Sequence, residues 1–127
     1  MPLTLEQQRI QVAYDATRAY LQAQPGPANK KNWKTAVMSF GSEVQRCGLL
    51  QAIAFLARDE SEEVAGKIQG TMRDHLIQRG MLASDAHANL LQAVSALDVL
   101  DYMLVTREVL ALALWFRRSA QALCGRD

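Results

Sequence analysis

The side chains able to do acid–base, nucleophilic or metal chemistry are few in this 127-residue chain, which has two histidines and two cysteines. Asp74-His75 and Ser84-Asp85-Ala86-His87 supply the residue types of a general acid–base or nucleophilic site. Neither run has the spacing of a known constellation, and His75 falls on the apolar stripe of its predicted helix, which makes it a core or capping histidine. The two histidines sit on different predicted helices with no carboxylate pair at ligand spacing, so no metal site is expected. Cys47 and Cys124 are isolated; neither a disulfide framework nor a metal knuckle follows, and a reducing compartment is the default. No glycine-rich phosphate loop occurs. Asp98 and Asp101 stand near a helix start, where capping is their natural role. The expectation is no catalytic residue, no cofactor and no metal: a binding or assembly part.

A second chemistry is open to the cations. Lys30, Lys31 and Lys34 flank Trp33 around a loop and helix start, Arg46 lies further along the same predicted helix, and Arg117-Arg118 end the last one. Such a set can meet phosphates while an indole stacks or packs. Arg107 is a further candidate, with pairing to Asp101 or Glu108 as its plain structural alternative. The net charge is only +1, but residues 1–58 carry seven basic side chains against three acidic ones. Asp59, Glu60, Glu62 and Glu63 then open an acidic second half. A local basic face on a near-neutral protein is therefore possible. The plain alternative is a set of solvated helix faces with Trp33 in the core.

The elements that must carry these residues read as helices throughout. Thr4 and Gln7 form a capping-box pair for a helix to about Ala23, which Pro25-Gly26-Pro27 stops. A connector holding Asn29, Lys30 and Lys31 leads to a helix from Trp33 to Arg46, in which Gly41 marks close packing or a kink. Cys47-Gly48 is a break, and Leu49 to Arg58 reads as the most buried segment. Asp59 to Glu63 cap the next helix, which Gly80 ends. Within it Gly66 and Gly70 suggest close packing. Ser84 or Asp85 caps a helix containing Ala88, Leu91, Val94 and Leu97.

The last helix is the longest, with Ser95 and Asp98 resembling a capping box. Leu100, Met103, Leu104, Val109, Leu110, Ala113 and Leu114 read as its core-facing stripe. Leu112, Trp115 and Phe116 then point away, making Trp115 and Phe116 a candidate protein interface. No strand pattern is present. The fold class is all-α: a compact single-domain bundle of five to six helices over residues 1–127. The longest unbroken apolar run, Val109 to Phe116, falls far short of the ~20 residues that span a bilayer. The start, MPLTLEQQRI, lacks a signal-peptide pattern. No membrane contact and a cytoplasmic location are expected.

Two blocks add a resemblance. Cys47-Gly48-Leu49-Leu50-Gln51-Ala52-Ile53-Ala54-Phe55-Leu56 resembles a Gly-Leu, Gln-Ala, Ala-Phe block of the small helical subunit of type III-B CRISPR effector complexes, the Cmr small-subunit family. Tyr102, Thr106-Arg107-Glu108-Val109-Leu110 and Trp115-Phe116-Arg117-Arg118 with Ala120 resemble that family's C-terminal helix, and Leu5 to Arg9 with Ala13-Tyr14 resemble its start. Gly41 stands near where relatives often have proline, and Ser119 where an aromatic commonly follows the paired basics. The resemblance implies a non-catalytic, RNA-binding antiviral-defence subunit. Its partners would be guide RNA, target RNA, the effector's backbone subunits, and other copies of itself stacked in a filament along the guide–target duplex. A helical adaptor with no nucleic-acid role is the alternative.

Overall fold

The computed structural model describes residues 3–125; the outer limits of the expected 1–127 domain lie outside them. Six helices follow in chain order: α1 Leu5–Ala23, α2 Pro27–Cys47, α3 Leu49–Asp59, α4 Glu62–Gln78, α5 Leu90–Ser95 and α6 Val99–Cys124. Among the described residues there is no strand. The capping box of α1 closes in both directions: Thr4 Oγ1 accepts from the Gln7 N–H, and Gln7 Oε1 accepts from the Thr4 N–H. Ser61 caps α4, with Glu62 and Glu63 in its first turn where the helix dipole favours them.

Several boundaries differ from the expectation for local reasons. α2 begins at Pro27 rather than Trp33, since proline's fixed φ and missing N–H suit a first helical position. Lys30 and Lys31 are thus helical, not in a connector. α3 buries one face only, through Leu49, Ala52, Ile53 and Leu56. α5 is short and is capped by Asn89, not by Ser84 or Asp85. The turn before it is held by Arg73, whose guanidinium donates to the Ala86 and His87 carbonyls at 2.6 and 2.9 Å. Asp98 alone caps α6, accepting from the Asp101 N–H at 2.8 Å, while Ser95 belongs to α5. Gly66 and Gly70 do not serve close packing: a Cβ at either would meet open space.

The largest correction is the phase of α6. Its buried side consists of Val105, Glu108, Val109, Leu112, Ala113, Phe116, Ser119 and Ala120. Leu100, Met103, Leu104 and Leu114, read from sequence as core-facing, are exposed. α6 lies between α1, which runs parallel to it, and α2, which runs antiparallel. Arg9 and Thr17 of α1 meet Glu108 and Ser119 in that order. On the α2 side Trp33 tilts against Phe116, with ring centroids 6.0 Å apart, and Gly41 lies where a Cβ would stand 3.6 Å from the Ala113 Cβ. An added Cβ on Gly41 would thus make only an ordinary contact, so the approach does not require the glycine, and α2 runs unbroken through it.

A directed polar chain crosses this core. Ser119 Oγ donates to the Phe116 carbonyl at 2.8 Å, which uses its only proton. Thr17 must then donate to Ser119 at 2.7 Å, and Thr17 Oγ1 accepts from the Trp33 indole N–H at 3.1 Å. Ser119, in a position where the resemblance leads one to expect an aromatic, is thus a buried joint. Thr17→Val keeps the side-chain volume but strands the buried Trp33 indole N–H and removes the hydrogen bond that Ser119 accepts. It is expected to cost about 1–3 kcal/mol, read as a lower denaturant midpoint at unchanged slope.

Candidate nucleic-acid interface

Seven cations were expected to contact RNA, and all lie on α2 or α6. Because these helices are antiparallel neighbours, the start of α2 meets the end of α6. Lys30 and Lys34 lie close enough to Cys124 for their charges to pull its thiol down, against burial, which is the larger effect and pushes it up. Arg117 lines a groove of about 270 Å³ between the two helices, beside Met38, Ser42, Gln45, Leu110 and Leu114. Lys30 and Lys34 therefore stand together near Cys124, with Lys31 one position further round α2, while Arg117 faces the middle of α2 along the same seam. Arg118 lies just beyond, its guanidinium stacked 4.7 Å from the Trp115 ring centroid.

Two candidates are not brought into this group. Arg46 is exposed in the last turn of α2, roughly 18 Å along the axis from Lys34 at the usual rise per residue. Arg107 is exposed on the outward side of α6, among Met103, Leu104 and Leu114. Its alternative partner Glu108 is turned inward and bound by other groups.

None of the three candidate rings is fully available. Trp33 is 0% exposed, stacked on Tyr20 at 4.8 Å between centroids, so its indole is a core group and cannot stack on a base. Phe116 is 1% exposed and leaves the candidate protein interface, because the true phase of α6 turns it into the core. Trp115 is half-buried under Arg118. The apolar surface lies instead at Val99, Leu100, Met103, Leu104 and Leu114. A signal for this was present: Arg107, Arg117 and Arg118 recur on the same side as these residues. Phasing the helix by its charges rather than by its abundant apolar residues would have turned that side outward.

The remaining titratable cluster is a joint. Glu108 is 4% exposed and accepts from Arg9 Nε and Nη2 at 2.8 and 2.7 Å. It also lies 2.8 Å from His75 Nε2, with Arg79 Nη2 at 3.9 Å. An ionised carboxylate only accepts, so His75 Nε2 carries the proton here. Burial alone would raise the Glu108 carboxyl, but the Arg9 and His75 hydrogen bonds and their charges outweigh it and hold it at about 2. His75 is thus a core histidine. Among the described residues no group of three metal-capable side chains comes together, and no helix is long and apolar enough to cross a membrane.

Comparison with known proteins gives this arrangement a place. Residues 5–123 match the family described as CRISPR-associated protein (Cas_Cmr5). The chain belongs to the Cmr5 family. A relative from Thermus thermophilus, named CRISPR system Cmr subunit Cmr5, is 40% identical over 80 residues. That match covers 63% of this chain and 64% of the relative, a little under two thirds of its length. A crystal structure of a CRISPR-associated Cmr5 family protein from the same organism superposes with a TM-score of 0.73. The identity is 27%, over 95% of this chain and 98% of that one.

In this Cmr5-family chain the motif residues turn out to be structural joints. Gly48, at φ +90°, ends α2 and begins α3 without a side-chain cap. The Tyr102 hydroxyl substitutes for that cap, accepting from the Leu50 N–H at 3.3 Å. Arg9 and Glu108, 99 residues apart, clamp α1 to α6.

The Glu108 carboxyl has a sign-determined consequence. Its folded pKa lies below its ordinary value of about 4.3, so it adds stability above that value and loses it as pH falls toward about 2. Denaturant unfolding of wild type should therefore weaken across roughly pH 4.5 to 2. Glu108→Gln should lose this part of the acid limb, and Glu108→Ala should cost on the order of 3 kcal/mol at neutral pH.

Proposed function

We propose that this chain is a non-catalytic, cytoplasmic subunit of a type III-B CRISPR effector ribonucleoprotein in antiviral defence. It contacts guide and target RNA and stacks with further copies beside the backbone subunits. The observation that carries the reading is the family match across residues 5–123, joined by the Thermus relative's name as a Cmr subunit. The contact surface is the basic strip of α2 and the end of α6: Lys30, Lys31, Lys34, Arg46, Arg117 and Arg118, exposed except for the partly covered Lys34.

Physical reasons favour this use of the strip. Lysines and arginines without a reading aromatic recognise phosphates, which fixes register without reading sequence; base pairing to the guide supplies the sequence. With Trp33 buried, stacking on bases is not available to it. A net charge of +1 makes one copy a weak binder. A row of copies along one duplex gains affinity through effective concentration.

Affinity purification of the tagged chain from its host at low salt should recover backbone subunits with short guide RNAs. Recovery of unrelated proteins without RNA would favour the adaptor reading. Charge reversal at Lys30, Lys31 and Lys34 together should weaken RNA retention and reduce the slope of log affinity against log salt by about 2–3. Unchanged retention would discard this strip.

A further inference from the structure

Two aromatic–arginine pairs stand side by side on a flank of the bundle that the α2 strip does not occupy. The groove between α2 and α6 is lined from α6 by Leu110, Ala113, Leu114 and Arg117. The groove between α1 and α4 is lined from α1 by Val12, Asp15, Ala16 and Ala19. At about 100° per residue, Trp115 and Arg118 fall on the flank of α6 turned from α2, and Tyr14 and Arg18 on the flank of α1 turned from α4. Both flanks open onto the outer side of the α1–α6 seam. The two helices run parallel and meet at Thr17 and Ser119. The Tyr14 and Trp115 rings therefore lie about one turn before that contact, with Arg18 and Arg118 beside it.

Each ring carries a guanidinium. Arg118 lies 4.7 Å from the Trp115 ring centroid and Arg18 lies 5.5 Å from that of Tyr14. Both rings are half-buried and both arginines are exposed. A guanidinium laid on a ring is held as a plane, with one face covered, the other open to solvent, and N–H donors along its edge. Arg18 also donates to Asp15 at 3.1 Å, in an exposed ion pair of the kind that contributes little, so a phosphate can replace the carboxylate.

A flat cation backed by an aromatic ring offers a base a stacking surface and its phosphate a charge. Bases already stacked within a duplex have no free face to give it, so this chemistry selects unpaired nucleotides. The lysines of α2 have no such ring, Trp33 being buried. We propose that the outer α1–α6 seam is a stacking site for unpaired nucleotides of single-stranded RNA. One base lies on the open face of Arg118, backed by Trp115, and a nearby base of the same strand lies on Arg18, backed by Tyr14. The site rests on the RNA-binding reading above and adds to it a preference for strand over duplex, on a different flank from the α2 lysines.

The test uses the full-length protein at low salt, titrated to millimolar concentration with single-stranded oligoadenylate. The same strand without its bases, and the same strand in a duplex, serve as comparisons. Trp115 is one of two tryptophans and Trp33 is wholly buried, so quenching of the emission reports on the seam. Oligoadenylate should quench part of the emission, and neither the base-free strand nor the duplex should. Affinity is read separately from the anisotropy of end-labelled RNA. Arg118→Lys keeps the charge but removes the plane; it should weaken single-strand binding about fivefold or more while the salt slope stays the same. Trp115→Leu should weaken it similarly, and its remaining emission should no longer respond to RNA. Arg118→Lys changes an exposed side chain and should melt like wild type, which separates lost stacking from lost folding.

Single-strand binding by Arg118→Lys equal to that of wild type would overturn the proposal, as would equal quenching by the base-free strand. No quenching up to millimolar RNA would do the same. If Trp115→Leu then also failed to recover backbone subunits, the seam would be a protein contact. Where guide RNA and backbone subunits still co-purify with wild type, only the stacking site fails. Where wild type recovers neither, the functional reading itself fails, whatever the fluorescence shows.

Discussion

One buried charge sets the arrangement of this bundle. Glu108 is almost wholly enclosed, and desolvating a carboxylate costs several kcal/mol unless partners repay it with good geometry. Arg9 from α1 approaches with two nitrogens and His75 from α4 with one. The three helices that meet there cannot slide or rotate independently, because any displacement would leave the charge unpaired. An apolar core of leucine and valine tolerates small shifts in register; a carboxylate held by two directional partners does not. The Thr17, Ser119 and Trp33 chain repeats the constraint further along the α1–α6 contact with neutral groups.

That constraint fixes the rotation of α6, and the rotation decides what the surface offers. α6 is apolar over so much of its girth that burial alone would accept more than one phase. With Glu108 and Ser119 turned inward, Leu100, Met103, Leu104 and Leu114 are left outside together with Arg107 and Arg118. The same rotation takes Phe116 into the core against Trp33. The basic strip on α2 is a consequence of Pro27, which starts that helix early enough to carry Lys30 and Lys31 on a rigid frame instead of a loop.

The residues that carry the family likeness are informative in an indirect way. Gly48, Tyr102, Arg9 and Glu108 make the turn, the substitute cap and the clamp that hold the helices in register. The exposed cations of α2 and the exposed apolar residues of α6 lie elsewhere, outside these joints.

Helix content, the capping of α1 by Thr4 and Gln7, the acidic start of α4 and the break at Gly48 were all legible in the sequence. Each depends on residues within a few positions of one another, and local propensity and capping act over that range. Placing Lys34, Arg46, Arg107, Arg117 and Arg118 on helices was legible for the same reason, whereas Lys30 and Lys31 were assigned to a connector because the helix start at Pro27 was missed. The phase of α6, the burial of Trp33 and Phe116, and the meeting of Lys30 and Lys34 with the end of α6 at Cys124 were decided only by the tertiary structure. Those outcomes turn on partners 16 to 102 residues apart, such as Thr17 with Trp33 and Thr17 with Ser119. A nearly uniform apolar helix gives no local preference among rotations. Only when Arg9 and His75 close on Glu108 does one rotation become much lower in free energy than the rest.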